Sequence, residues 1–413
     1  MKSIDDYSPV VGEDVIHHLR EISAPLKGLK VVHVNSTRIG GGVAEILDQI
    51  VPLTKELGID ARWEVIKGEE RFYECTKSFH NVLQGKYSPI SDSLLRTYER
   101  TNQENAESLR PALEDADIVF IHDPQPLPLL KWIPNRRGKW IWRCHIDLSH
   151  PYRPIWKYLR EFAIDYDASI FSLADFVQPL PHTQYLVPPS IDPLSEKNRE
   201  LTPGEVRKTL DEFDLDPYRP IILQVSRFDR FKDPLGVIRA FRLAKRYCPG
   251  LQLVLAGGSA SDDPEGEIVL KEVREEADDD KDIRILILAP DAHRTINALQ
   301  RGATFIIQKS IKEGFGLTVT EGLWKTKPVI GGDTGGIRLQ IIDHQTGFLV
   351  STPEGASLRI RYLLRQPDKA TEMATKGREF VRQNFLITRH LREYLSLMVA
   401  LLHGEEDRVE LEM

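Results

Sequence analysis

Residues 313–321, EGFGLTVTE, set two carboxylates around seven uncharged positions, two of them glycine. The preceding ATFIIQKS has the composition of a buried strand, so the segment opens a helix just past a strand end. Backbone N–H groups at a helix start lack partners and the macrodipole is positive there, which suits an anion. Gly314 and Gly316 let the backbone approach a ligand closely. Glu321, one to two turns into the helix, can accept two hydrogen bonds, as a ribose diol requires. Glu313, in the loop, can take a sugar hydroxyl. The plainer reading, a glycine turn that starts a helix with Glu321 in solvent, stays open at this point.

VSRFDRFKDP (225–234) follows the strand-like PIILQ and precedes a helix. Arg227 and Lys232 stand five apart across a tight loop and can converge on one diphosphate, the guanidinium as a fork and the ammonium as a point charge. The competing reading pairs both cations with Asp229 and Asp233 in ordinary salt bridges. Both segments lie after strand C-termini, where open α/β sheets bind ligands. Magnitudes rank them. A unit charge pair at 4 Å and an effective dielectric of 20 is worth roughly 4 kcal/mol, a helix N-terminus about 0.3–2 kcal/mol. The two cations should dominate stabilisation of a departing diphosphate, and the loop should position it.

STRIGGGVAEIL (36–47) puts three glycines between a strand and a helix. Counted from Gly40 the pattern is G-x-G-x-x-E, with Glu45 where a dinucleotide fingerprint needs Gly or Ala, although Glu64 stands where the ribose acid would be. A ligand-touching loop fits better than a nicotinamide site, and a purely structural turn stays open. IHDPQP (121–126) and RCHIDLS (143–149) place His122, Asp123, His145 and Asp147 near the same sheet edge as that loop. No G-x-S-x-G elbow, P-loop or H-E-x-x-H is present. Asp115/Asp117 and Asp214/Asp216 precede strands, on the opposite edge, and read as solvated turns. DDDKD (278–282) reads as a solvated helix end, and no metal is called for.

These groups must be carried by strands and helices. LKVVHVN, ARWEVI, DIVFIHD, KWIWRCH, ASIFSL and TQYLVPP supply strands in the first half. Val43, Ile46, Leu47, Ile50, Val51 and Leu57 share one helical face, and residues 69–113 have helical character. PIILQVS, LQLVLAG, IRILIL, ATFII and PVIGG supply strands in the second half, after the Pro-rich PPSIDPLSEKN (188–198). Alternating strands and helices imply parallel sheets. The expected division is 1–194, 195–385, and a terminal segment 386–413 whose stripe Leu391, Tyr394, Leu395, Met398, Leu401, Leu402 caps one domain or the other. With 413 residues the chain suits two domains of about 200 residues each. The net charge of −7 lacks the basic face of a nucleic-acid binder. Three scattered cysteines, a polar acidic start (MKSIDDYSPV) and no apolar run near the ~20 residues of a membrane span suggest a cytoplasmic protein with reduced thiols.

Arg227, Lys232 and Glu313-x7-Glu321 together resemble the donor site of retaining glycosyltransferases of family 4 with the GT-B fold, two facing Rossmann-like domains with an interdomain cleft. The glycine loop, His145 and TGFLV (346–350) match further motifs of that family. VNSTRIGGGVAEIL, ARWEVIKG, KSFHNVLQG, HDPQP, WRCHIDLS, PPSIDPLSEKN, DDPEG (262–266) and EGFGLTVTEGLWKTKPVIGG resemble its trehalose glycosyltransferring synthases, and trehalose phosphorylases share parts of them. The resemblance covers nearly the whole chain. It implies that Arg227 and Lys232 bind the diphosphate and that Gly314, Phe315, Gly316, Leu317 and Thr318 line the donor sugar and phosphates. Glu313 would contact a glucose hydroxyl and Glu321 the ribose. Gly41 and Gly42 would approach the diphosphate from the first domain. Asp123 and His145 would meet the sugars at the reacting centre, with Asn35 and Asp123 on the acceptor. The last helix would cross back to the first domain. Arg338, RGATF (301–305) and Lys309 depart from the family's commoner residues.

The implied reaction is retaining glucosyl transfer from a UDP-, ADP- or GDP-glucose to free glucose. It requires no cofactor; Mg2+ is compatible but not implied. A homodimer is compatible, and neither nucleic acid nor membrane is expected as a partner. Three rivals remain at this stage: a phosphorylase using inorganic phosphate, a non-catalytic sugar-nucleotide sensor, and a nicotinamide dehydrogenase.

Overall fold

Runs such as VVHV and IVFIH, apolar without alternation, are what a strand covered on both faces requires. They occupy β1 (Lys30–Asn35) and β3 (Ile118–His122), joined by β2 (Asp60–Val65), β4 (Lys139–Arg143), β5 (Ala168–Phe171) and β6 (Thr183–Leu186) in one sheet of order β2-β1-β3-β4-β5-β6. Every pairing is parallel. The computed structural model describes residues 2–39, 41–258 and 264–403. Gly40 of the glycine loop, the first two residues of DDPEG and the tail after His403 lie outside the described residues. The chain divides into two units, Met1–Pro189 with Ile387–Met413, and Ser190–Leu386.

In the first unit, β2 pairs to one side of β1 and β3 to the other, so the winding reverses between β1 and β3. In open α/β sheets ligands bind outside the strand C-termini at such a reversal. The helix Gly42–Glu56 returns the chain to β2 and buries Ile46, Leu47, Ile50 and Leu53. The polar region 69–113 resolves into two helices, Glu70–Leu83 and Asp92–Glu114. The last helix, Ile387–Leu402, packs on Glu13–Ser23 and Gly42–Glu56. Its buried stripe keeps Leu391, Tyr394, Leu395 and Met398, while Leu402 ends exposed.

The second unit repeats the logic with β7 (Ile221–Val225), β8 (Gln252–Gly257), β9 (Ile283–Ile287), β10 (Phe305–Gln308), β11 (Val329–Gly332) and β12 (Phe348–Val350). The order is β12-β11-β10-β7-β8-β9, again all parallel, and the reversal lies between β7 and β10. Ile222, Phe241, Leu253, Phe305, Ile307 and Ile330 fill its core, each worth about 1.5–3 kcal/mol of burial.

Two expectations about acidic turns are corrected. Asp117 is no solvated turn residue: its carboxylate accepts the Lys30 N–H at 2.9 Å and meets Arg137 at 2.8 Å, tying β3 to β1. Asp280 and Asp282 of DDDKD share Lys245 at 2.7 and 2.8 Å, fixing the turn before β9. Cys75, Cys144 and Cys248 are free thiols. No helix among the described residues is long and apolar enough to cross a membrane.

Candidate active site

The reversal in the second unit carries most of the chemistry. After β7 the chain forms a short 3-10 turn, Arg230–Lys232, and then Asp233, at φ 50, caps the helix Pro234–Lys245 by accepting the Gly236 N–H at 3.1 Å. A side chain at position 236 would come within 2.1 Å of that carboxylate, so a larger residue there would displace the cap. Lys309, buried at the end of β10, ion-pairs with Asp233, and the Gln224 amide donates to the Lys232 carbonyl at 2.8 Å. Lys309, a departure from the family pattern, is therefore the anchor of the cationic loop.

So held, the Lys232 ammonium lies 2.7 Å from each oxygen of Glu313. The Ser310 hydroxyl donates to the same carboxylate at 3.0 Å. Both charged side chains are mostly buried, at 18% and 8% exposure, so water screens the pair weakly. Arg227 projects from the end of β7 with 57% of its side chain exposed and reaches Asp229 at 3.4 Å, the long limit of a hydrogen bond. Of the ordinary salt bridges weighed above, Arg227–Asp229 is present in this weak form, whereas Asp233 goes to Lys309.

Beyond Glu313, Gly316 adopts φ 85, ψ 65 and starts the helix Leu317–Trp324, which no side chain caps. Its first amides, near Thr318, face the same strand end. Phe315 is buried and packs on Phe385 at 5.6 Å. The loop rests on Gly335 and Gly336, because a Cβ at Gly335 would lie 1.8 Å from the Glu313 carbonyl oxygen and one at Gly336 2.4 Å from Phe315 Cα. Glu321 is not in solvent. It is 1% exposed, with one oxygen 3.1 Å from Lys197 and the other accepting from Gln300 at 2.8 Å. Burial pushes its pKa up, but Lys197 and Lys325 outweigh this and hold it below the usual carboxylate range. A ribose diol reaching Glu321 has to replace one of these partners.

The reversal in the first unit gathers a second polar set. Asn35, at the end of β1, spends its amide internally: it donates to Thr37 O at 2.7 Å and accepts from Trp63 Nε1 at 2.9 Å. Gly41, at φ 84, precedes the helix Gly42–Glu56, whose start also lacks a side-chain cap. His33, His122 and His145 form a chain, Nδ1 of His33 to Nε2 of His122 and Nδ1 of His122 to Nε2 of His145, each 3.1 Å. Burial lowers all three, His33 to about 3 and the other two well below 6.5, so the imidazoles are neutral at neutral pH. In a neutral chain the tautomer of one ring sets the next. Asp123, at φ 64, accepts the His145 N–H at 2.6 Å, and burial raises its pKa to about 7. Asp147 instead caps Ser149 locally, at 2.9 Å.

Sequence reasoning missed His33, Arg143 and Tyr394 in this set. His33 lies two residues before Asn35 in a strand and so shares its face, the one signal available. Tyr394 stacks on Phe120 at 5.0 Å, and His33 on the same ring at 4.7 Å. Arg143, fully buried at the end of β4, donates to the Val187 carbonyl at 2.6 Å.

Comparison with known proteins decides the family. Residues 33–178 match the model for the N-terminal domain of trehalose synthase, and residues 207–380 match glycosyl transferases group 1. The trehalose synthase of Thermococcus litoralis is 47% identical over 401 residues, 96% of this chain and 97% of that protein. This chain belongs to the trehalose synthase family of glycosyltransferases. Another member, from Rubrobacter xylanophilus, is 41% identical over 408 residues, 97% of each chain. The solved trehalose-6-phosphate synthase OtsA superposes with a TM-score of 0.74 at 14% identity, covering 90% of this chain and 99% of that one. That likeness establishes the GT-B fold. Within the family frame, the histidine chain falls in the segment matched as a trehalose synthase domain, and the Lys232–Glu313 pair in the segment matched as a group 1 glycosyl transferase.

Proposed function

We propose that this family member is a retaining glucosyltransferase that forms α,α-trehalose, reversibly, from a nucleoside-diphosphate glucose and free glucose. The observation that carries the reading is the Lys232 ammonium held 2.7 Å from Glu313, beside an uncapped helix start, at the winding reversal of the second unit. That arrangement suits a leaving group whose negative charge grows as the glycosidic bond breaks. Lys232 and Arg227 neutralise the diphosphate, and the amides at Gly316, Leu317 and Thr318 position it. The exposed Arg227 has only a weak partner to give up. Glu313 takes a hydroxyl of the donor glucose as Lys232 turns toward phosphate, and the ribose takes the place of Lys197 at Glu321.

The bond from the anomeric carbon to the diphosphate oxygen breaks as the acceptor's anomeric hydroxyl attacks from the same face, and the departing phosphate oxygen accepts the hydroxyl proton. The neutral His145 polarises a sugar hydroxyl, and Asn35 and Asp123 belong to the acceptor side. Gly41 and Gly42 offer amides to the anion. No step in this reading calls on a metal ion.

The test is one assay series: glucose with UDP-, ADP- or GDP-glucose, the disaccharide identified by NMR. The expected product is α,α-linked trehalose with release of the nucleoside diphosphate. Trehalose breakdown supported by inorganic phosphate but by no nucleotide overturns the reading in favour of phosphorolysis. Nucleotide binding without any transfer overturns it in favour of a sensor.

A further inference from the structure

The second unit has a cavity of 490 Å³ away from the donor loop, lined by the apolar Leu201, Pro203, Leu210 and Pro217 and by the cationic Arg301 and Lys327. Arg207 and Lys325 complete its cationic lining. The cavity lies at the N-terminal edge of the sheet, since Lys327 leads into β11, Gly302 into β10 and Pro217 into β7. The Lys232–Glu313 pair lies beyond the C-terminal ends of the same strands. This volume falls in the usual range of small-ligand sites, about 300–1,000 Å³.

The cations differ in what already neutralises them. Arg207 pairs with Asp211 at 2.8 Å; Arg301 pairs with the exposed Glu200 at 2.6 Å and also donates to Asn297 Oδ1, Asn198 O and Arg199 O at 3.0–3.1 Å. Lys325 donates to Asn198 at 2.8 Å and feels the charge of Glu321. Lys327 is half-buried; its backbone N–H donates to the Gly322 carbonyl at 3.0 Å, but its ammonium has no hydrogen bond or ion pair among the described residues. Withdrawing an ammonium from water without a partner is costly; burial, and then the neighbouring Arg301, lower its pKa to about 8. A second irregularity sits beside it. Thr326, between Lys325 and Lys327, is held at φ 57, a conformation that β-branched residues avoid. The turn that presents the two lysines is therefore strained, and strain of this kind collects at ligand clamps.

We propose that this cavity binds a small organic phosphate ester, its phosphoryl group between Lys327 and Arg301 and its carbon part along Pro203, Val206, Leu210 and Pro217. The phosphoryl oxygens supply the acceptor that the Lys327 ammonium lacks and draw on the Arg301 charge through Nη1, in place of Glu200, since Nε and Nη2 already donate to Asn297, Asn198 and Arg199. The apolar wall favours an ester over the free anion. The site is separate from the glucosyl-transfer reading and survives its failure.

The test is calorimetric titration of the full chain with phenyl phosphate and with inorganic phosphate, in the Lys232→Ala background, which removes the donor-site lysine as a competing anion site. Phenyl phosphate should bind one site per chain. Inorganic phosphate should bind at least tenfold more weakly. Lys327→Gln should weaken phenyl phosphate at least tenfold, and Lys327→Arg should restore most of the affinity. Equal affinity for the two probes overturns the ester assignment. Binding unchanged by Lys327→Gln, or no saturable binding below 10-millimolar-scale concentrations of either probe (about 10 mM; RT ln Kd near −2.7 kcal/mol), overturns the site itself.

Discussion

Replacing Lys232 probes the central pair, and the structure says how to separate its two consequences. The ammonium is 2.7 Å from both Glu313 oxygens and the pair is largely withdrawn from water. Its removal leaves Glu313 with Ser310 as its remaining side-chain donor at 3.0 Å. Breaking a buried ion pair by deleting one partner costs about 3–5 kcal/mol of stability, and the residual exposure here argues for the lower end. Deleting a donor used in the transition state costs about a hundredfold in kcat, roughly 2.7 kcal/mol. Lys232→Ala alone mixes the two effects. Glu313→Gln removes the orphaned charge, so the double variant Lys232→Ala/Glu313→Gln should recover most of the lost stability in urea unfolding. Turnover, measured with saturating glucose and the preferred nucleotide sugar, should stay at least about a hundredfold down in both Lys232 variants. If Lys232→Ala folds and turns over near the normal rate, or if the double variant regains its rate along with its stability, the lysine serves Glu313 and not a leaving diphosphate.

Asp123 should give a pH signature. Its folded pKa of about 7 lies above the ordinary carboxylate value, so its favourable contribution is complete below about pH 4 and is lost as pH rises through 7. Asp123→Asn should flatten the fall in stability across that window and remove an inflection near pH 7 from the kcat/KM profile; a wild-type profile flat from pH 5 to 8 contradicts its place at the acceptor. Gly335→Ala should damage the donor loop, since its Cβ would lie 1.8 Å from the Glu313 carbonyl oxygen. Overpacking costs about 1–3 kcal/mol and the left-handed φ about 1–2 more, and turnover should fall with stability. Gly12→Ala is the control: Gly12, at φ 97 and ψ 153, also needs a backbone that side chains avoid but meets nothing within 4 Å, so the change should cost about 1–3 kcal/mol and leave kinetics unchanged. Equal kinetic loss in both glycine variants contradicts the support assigned to Gly335.

All the strands but β12 were legible because each is a short apolar run bounded by polar or turn residues, and the two donor segments because a glycine turn and two cations each follow such a run; β12, three residues within TGFLV, is too short to show a pattern. Their meeting was not. Lys232 and Glu313 are 81 residues apart, and only the return of β10 to the far side of β7 makes their loops neighbours. The same holds for His33 and His122, 89 residues apart and joined by the placement of β1 beside β3. Strand order is set by how helices pack on the sheet, a non-local property that periodicity does not report. Glu321 is different: the solvent-exposed reading left open for it is wrong, and the composition of its own helix carries the reason. LTVTEGLW carries one charged residue among mostly apolar ones, and Val319, Thr320, Glu321, Gly322, Leu323 and Trp324 are all buried, as a helix with so little polar surface requires. Gly322 confirms how tightly: a Cβ there would approach Ile306 to 2.9 Å. A carboxylate in such a helix needs cations brought to it, which Lys197 supplies from the proline-rich segment 188–198. Lys309 follows the same rule. It reads as a substitution in a motif until Asp233 is found beside it, and the ion pair then explains both residues at once.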